Sequence, residues 1–288
     1  MRLLALMLFA LAAGPAASRG ASAAPAPTAY QETAPAPTAT LSYGPAARQQ
    51  ITLYRPVRGG RGRPLVLYVH GGGWAAGSHK SVYGLPDWAN RTNIWFGSVG
   101  YRYLPQAPVE TQAADIGAAI RKTQGEARRH GYAADRIILM GHSSGAHLAA
   151  LVATDPRYAG TAFSAIRAVI TVDGSAFHVP VQLASGQGEV MRLFRNAFGA
   201  DAKRQAALSP ALQAGRGDVP RWLLIHVRGR GGAAAQAVLL GAALEQAKLD
   251  VVTKAVPGDH MGLIRTFGAS DYPALAEVDA IVRAAAVR

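Results

Sequence analysis

Residues 141–147 read Gly-His-Ser-Ser-Gly-Ala-His and follow directly on the apolar run at 137–140. A serine placed where a buried strand turns sharply into a helix has its hydroxyl exposed as a nucleophile, and only small residues fit beside it. Ser143 is therefore the candidate nucleophile, with Gly141 and Gly145 as the small neighbours. In a chain with 32 glycines among 288 residues such a short pattern can arise without function, so a second feature is needed.

That feature is His70-Gly71-Gly72-Gly73-Trp74, directly after the apolar run at 65–69. Glycines at such a place let bare backbone amides face a ligand and stabilise a developing oxyanion without any side chain. Gly72 and Gly73, joined by the amide of Ser144 just after the nucleophile, are the expected donors. An ordinary flexible turn is the alternative, but it would leave the pairing of the two motifs to coincidence. Trp74 is expected to pack beside the loop rather than to meet substrate.

These groups need a scaffold that brings distant segments to one edge. Apolar runs at 65–69, 94–101, 137–140, 169–172, 223–227 and 251–256, preceded by an early strand at 51–56, suit parallel strands covered on both sides. Helical stretches alternate with them at 112–130, 145–154, 233–248 and 273–286. The alternation predicts an α/β fold, a doubly wound, mostly parallel sheet with helices on both faces. Ligands of such sheets bind at the carboxyl ends of the strands. The irregular stretch 175–209, with Gly186, Gly188 and scattered Met191, Leu193, Phe194 and Phe198, is expected to form a lid there. A surface excursion without function is the alternative.

The two glycine motifs, together with Tyr-Arg-Tyr-Leu-Pro-Gln-Ala-Pro at 101–108, Ala-Asp-Ile at 114–116 and Tyr-Ala-Ala-Asp-Arg at 132–136, resemble the α/β-hydrolase superfamily over roughly residues 50–265. The resemblance is to the branch with His-Gly-Gly-Gly loops, which includes hormone-sensitive-lipase-like carboxylesterases, feruloyl or acetylxylan esterase-like proteins and kynurenine formamidase. It implies structural roles for Asp115 and Asp135, no metal or organic cofactor, and a general-base histidine in the loop after the last strand. Here that loop reads Pro257-Gly258-Asp259-His260-Met261-Gly262, which makes His260 the expected base. An imidazole near its ordinary pKa of about 6.5 can take the serine proton at neutral pH and return it to the leaving group. Of the other histidines, His70 and His142 are expected to shape the two glycine loops. His147, one helical turn beyond Ser143, should pack beneath the elbow. His178 and His226 lie near strand ends and are candidates to line the pocket.

The resemblance also implies an acid shortly after the seventh strand, and here the chain departs from it. Val227-Arg228-Gly229-Arg230-Gly231-Gly232 and the four residues that follow contain no carboxylate. Asp218 and Asp250 precede their strands and belong on the opposite edge, Asp259 adjoins His260 too closely, Asp201 has the setting of a helix cap, and Glu189 lies in the expected lid. Asp173 ends a strand on the correct side, and some α/β-hydrolases take their acid from this sixth strand. Asp173 is the expected acid; its alternative role is to cap the turn at Gly174 and Ser175.

The chain carries a net charge of +13 yet has no run of five or more basic residues, which argues against nucleic-acid binding. The absence of cysteine from the sequence excludes disulfides, a thiolate nucleophile and thiolate-held metal. Met1-Arg2, an apolar stretch at 3–13 too short to span a bilayer and small residues thereafter read as a secretory signal peptide over 1–23, with Ala17 and Ala24 as other cleavage positions and an N-terminal membrane anchor as the alternative. The repeated Ala-Pro-Ala-Pro-Thr-Ala at 24–29 and 34–39 reads as a flexible linker over 24–40, leaving a catalytic domain at 41–288. The expected protein is a secreted or periplasmic serine hydrolase that cleaves small-molecule carboxylic esters, of short acyl chain, through an acyl-serine. An aryl formamidase-like amide hydrolase and a non-catalytic binding protein on a degenerate hydrolase scaffold are the rivals.

Overall fold

Successive residues of a strand point to opposite faces, so a strand covered on both sides must be apolar throughout. The computed structural model describes residues 35–287 apart from 216. The chain runs β1 (Ala39–Ser42), β2 (Gln50–Tyr54), β3 (Leu65–Val69), α1 (Leu85–Arg91), β4 (Trp95–Val99), α2 (Val109–His130), β5 (Ile137–His142) and α3 (Ser144–Thr154). It continues with α4 (Pro156–Ala159), a 3-10 turn (Gly160–Ala165), β6 (Ile166–Val172), α5 (Val179–Ala184), α6 (Glu189–Phe198), α7 (Ala202–Ala207) and α8 (Pro210–Gln213). It ends with β7 (Arg221–Val227), α9 (Gly231–Gln246), β8 (Asp250–Val256), α10 (Gly262–Arg265) and α11 (Leu275–Ala286). The expected signal peptide and the linker up to residue 34 lie outside the described residues. Ala39 and Thr40, which composition assigns to the end of the linker, form the start of β1.

All eight strands form one sheet in the order β1-β2-β4-β3-β5-β6-β7-β8. β2 is antiparallel to β1 and to β4, and every other pair is parallel, as the alternation of runs and helices predicts. β3 and β5 are buried along their whole length, and side-chain alternation divides the interior into two cores. Leu65, Leu67, Val69, Ile137 and Leu139 face one core with Ile116 of α2, Leu148 of α3 and Leu240 of α9. Val66, Tyr68, Ile138 and Met140 face the other with Trp88 of α1 and Val278 of α11.

The chain proceeds from β3 outward to β4 and then returns to β5 on the other side of β3. The strand order therefore reverses at the β3–β5 neighbours, and the crevice at their carboxyl ends is where open α/β sheets hold ligands. The loop starting at His70 and the turn at Ser143 leave the sheet on the two sides of that point. The stretch 175–209 folds as short helices, of which α6 buries Met191, Phe194 and Phe198 and leaves Val190 and Arg192 outside. Among the described residues no helix is long and apolar enough to cross a membrane.

Asp115 has the structural role expected of it. Its carboxylate, nearly fully buried on α2, accepts from Arg102 Nε at 2.9 Å and Nη2 at 2.7 Å, from the Arg102 amide at 3.1 Å and from Gln49 Nε2 at 2.8 Å. It ties α2 to the segment after β4 and to the β1–β2 turn. Removing one member leaves buried polar groups unpaired, a cost moderated here because the Arg102 side chain is 40% exposed. Asp115→Ala is expected to lower the unfolding free energy by about 2 kcal/mol in urea denaturation, whereas a loss under about 0.5 kcal/mol would show that the network contributes little.

Candidate active site

The turn out of β5 is possible only because three backbone segments touch. Ser143 has φ 55° and ψ −124°, a conformation a side-chain-bearing residue adopts at a cost of about 1–3 kcal/mol. A Cβ on Gly141 would fall 2.2 Å from the Gly145 carbonyl oxygen, and one on Gly145 would fall 2.1 Å from that of Val69. The two glycines thus let α3 start directly against the ends of β3 and β5. Ser143 N–H donates to Val172 O at 3.0 Å, which ties the turn to the end of β6 as well.

Three sequence-distant residues meet there. Ser143 Oγ lies 3.0 Å from His260 Nε2, and His260 Nδ1 lies 2.6 Å from Asp173 Oδ2. The Nδ1–H donates to the carboxylate, which leaves Nε2 as the acceptor for the serine hydroxyl. Asp173, fully buried, directly follows β6, and its own amide continues the parallel pairing by donating to Ile225 O at 2.7 Å. Its Oδ1 accepts from Val227 N–H at 3.0 Å. Burial acts to raise the Asp173 pKa, but hydrogen bonds from His260 and Val227 and the charge of Arg230 outweigh it, and the carboxyl is held below the ordinary aspartate value. The carboxylate that meets the His260 ring thus stands at the end of the sixth strand, not after the seventh. Asp259 turns away, accepting from the amides of Met261 at 3.0 Å and Gly262 at 2.7 Å. Asp201 caps α7, and Glu189 pairs with Arg192 on the surface.

The glycine loop closes the other side of a cleft of about 350 Å³ that is lined in part by Gly71, Gly72, Gly73, Ser143, His260 and Met261. Gly72 and Gly73 have φ of 135° and 61°, and a Cβ on Gly72 would fall 2.0 Å from the Ala76 carbonyl oxygen. Trp74 is buried beside this loop, as expected. Its ring meets Phe194 and Phe198 of α6 at centroid distances of 5.5 and 5.0 Å, and its Nε1–H donates to His147 Nδ1 at 3.3 Å. His147 Nε2–H in turn donates to Leu208 O at 2.9 Å, so this histidine is a satisfied core residue under the elbow. His70 Nδ1–H donates to Gly71 O at 2.7 Å, its ring stacked on Tyr101 at 4.5 Å. His142 Nε2–H donates to the His260 carbonyl at 2.9 Å and holds the loop that carries the imidazole. His178 caps α5, and His226 is buried with its Nδ1 toward Val227 O; neither lines the cleft.

Two features escaped the residue patterns. Leu193 of α6 lies so close to Gly73 that a Cβ there would fall 2.4 Å from its Cδ2. On the side of Gly73 where Leu193 stands is an apolar groove of about 380 Å³ lined by Ala75, Leu104, Pro105, Leu193 and Asn196. Arg230 contacts Asp173 Oδ2 through Nη1, and the same Nη1 lies 2.7 Å from His260 Nδ1. The lack of a carboxylate at 228–236 was the only trace of this arrangement in the sequence.

The family model BD-FAE matches residues 51–165. The chain is 32% identical over 108 residues to a probable isoprenylcysteine alpha-carbonyl methylesterase of Arabidopsis thaliana, covering 38% of this chain and 23% of that protein. It is 31% identical over 116 residues to a putative alpha/beta hydrolase of Acanthamoeba polyphaga mimivirus, covering 37% of this chain and 33% of that one. It therefore spans between about a quarter and a third of the length of these relatives. Among solved structures, Thermogutta terrifontis esterase 2 phosphonylated by sarin aligns with TM-score 0.70 at 20% identity, over 88% of this chain and 94% of that one. Esterase B of Lactobacillus rhamnosis aligns with TM-score 0.66 at 21% identity, over 84% of each chain.

Burial pushes His70, His142 and His147 each down to about 4. An unfolded imidazole titrates near about 6.5, so between these values the unfolded chain binds more protons than the folded one, and stability falls as pH drops from about 6.5 towards 4. The loss approaches about 1.4 kcal/mol per pH unit for each histidine. Urea midpoints measured at about pH 7 and pH 5 should differ accordingly, and His147→Gln should flatten the dependence by about a third. Coincident midpoints for the unaltered protein would contradict burial of these rings in neutral form.

Proposed function

We propose that this chain, which has the α/β-hydrolase fold, is a serine esterase that hydrolyses small-molecule carboxylic esters through an acyl-serine intermediate. One observation carries the proposal: a hydroxyl, an imidazole and a carboxylate from the ends of β5, β8 and β6 form one hydrogen-bonded chain, Ser143–His260–Asp173, beside the glycine loop. His260 Nε2 takes the Ser143 proton as Oγ attacks the ester carbonyl, and Asp173 holds the ring in the tautomer this requires. The amides of Gly72, Gly73 and Ser144 receive the tetrahedral oxyanion, and each such donor contributes on the order of 100-fold to 1,000-fold in turnover. His260 then protonates the leaving alcohol, and water repeats the sequence on the acyl-serine.

The similarity to relatives named isoprenylcysteine alpha-carbonyl methylesterases supports ester over amide substrates. A non-catalytic binding protein loses its motive, since Asp173 stands where the histidine needs a carboxylate. Export to the periplasm or medium is part of the proposal and rests on the residue pattern of 1–23. We assign the acyl chain to the apolar groove beside Gly73, with Leu193 as the wall that favours short chains.

Ser143→Ala should abolish both nitrophenyl acetate turnover and labelling by a fluorophosphonate, and Asp173→Asn should reduce turnover by up to about 10⁴-fold. A near-normal rate for either variant rejects its assigned role, and turnover of aryl formamides in preference to esters would favour the amidase. Leu193→Ala should raise the octanoyl-to-acetyl ratio of kcat/KM by about 10-fold, the scale of a few methylenes in an apolar pocket. An unchanged ratio places the acyl chain elsewhere.

A further inference from the structure

The loop that lacks the expected carboxylate delivers a cation to the carboxylate that stands in for it. Arg230 lies between β7 and α9, in the segment where the resemblance implies an acid, and its Nη1 reaches Asp173 Oδ2, the same oxygen that receives His260 Nδ1–H. The guanidinium precedes the first turn of the 16-residue helix α9, where the helix dipole opposes positive charge. Its place beside Asp173 must offset that cost. The side chain is 41% exposed while the carboxylate it meets is at 0%, so the pair is reached by solvent from the arginine side only. Arg230 does not line the cleft around Ser143; it stands behind the imidazole, away from the reacting atoms.

We propose that Arg230 is a positioning residue: its guanidinium fixes the Asp173 carboxylate and, standing 2.7 Å from His260 Nδ1, opposes formation of the imidazolium in the resting protein. The charged and titratable groups around His260 are few. Asp173 faces it from the end of β6, Arg230 from the β7–α9 loop and His142 from the end of β5, with ring centroids 4.6 Å apart. His142 is held neutral by burial, and Tyr272, ahead of α11, has its phenol pushed up by burial and by the Asp173 charge, so it too is neutral. Asp259, adjacent in sequence, is engaged by two backbone amides. Among these described residues Arg230 is thus the one cation, and it stands against Asp173 in the charge balance at His260. A nearby cation disfavours the protonated imidazole, and neutralising it also leaves the carboxylate free to stabilise that form; both effects act in the same direction. The Arg230 charge thus works against a second proton on the His260 ring in the resting protein. His260 is also a better acid towards the departing alcohol once protonated.

This inference rests on the serine-esterase reading for its consequence in turnover, but the protonation of His260 can be followed without turnover. The experiment is a pH titration of the ¹³C-labelled His260 Cε1 resonance, assigned by its loss in His260→Gln, in the unaltered protein, Arg230→Gln, Arg230→Met and Arg230→Lys, in parallel with the pH profile of kcat/KM on nitrophenyl acetate. The neutral variants should move the His260 midpoint and the acid limb of the profile upward by about one unit, while Arg230→Lys stays within about 0.3 unit of the unaltered protein. Below the limb that shift is about a 10-fold loss of kcat/KM, with KM changed less than about 2-fold. Neutral variants whose midpoint stays within about 0.3 unit, or an Arg230→Lys midpoint that moves as far as theirs, overturn the proposal. Absence of turnover in the unaltered protein would instead overturn the esterase reading and leave the titration to decide the role of Arg230. Either of the two neutral variants suffices if the other does not fold.

Discussion

The contact of three backbones beneath Ser143 is the constraint on which the rest of the structure depends. Gly145 lies against the end of β3, Gly141 lies against Gly145, and the Ser143 amide is tied to the end of β6. A strained φ of 55° survives at a residue with a side chain because sheet and helix hold it from both sides. The same closeness brings the glycine loop after β3 within reach of the hydroxyl: a Cβ on Gly71 would fall 2.9 Å from that of Ser143. The Ser143 hydroxyl and the glycine loop are therefore one mechanical unit, set by the reversal of strand order at β3 and β5.

Burial then divides the histidines by task. His70, His142 and His147 are shut in and neutral, and each donates to a backbone carbonyl. His142 does so on the carbonyl of His260, so the loop after β8 is held by a ring from β5. His260 alone among these four is half-exposed, with one nitrogen on a buried carboxylate and the other on a hydroxyl at the cleft. A proton acceptor needs that asymmetry: fixed on one side and open to a reactant on the other.

The segment 175–209 is coupled to the same unit through Trp74. The indole meets Phe194, Phe198 and His147, and the Trp74 backbone carbonyl accepts from Gln112 Nε2 of α2 at 2.9 Å. Changes in α6 thus bear on the glycine loop through packing, and Leu193 adds a direct wall at Gly73. The segment 175–209 and the glycine loop share these aromatic contacts.

Much of this was legible in the residues themselves. The apolar runs became strands because only strands buried on both faces accommodate them, and the two glycine motifs marked the turns because no other residue fits the distances that result. Ser143 was singled out by those motifs, and His260 by what the resemblance implies for the loop after the last strand. Asp173 followed from the edge of the sheet on which its strand ends. The short strand β1 and helix α1 were not legible, since a few half-exposed residues in an Ala/Pro-rich stretch, or about two turns of helix with Pro86 at its start, carry little periodicity. Nor was the position of Leu193 over Gly73, or the meeting of Arg230 with Asp173 and His260. Local pattern determined which residues stand at the carboxyl edge of the sheet. Only tertiary structure decided which of them touch, because contacts between loops 57 and 87 residues apart in sequence depend on strand order and loop path, which no local periodicity encodes.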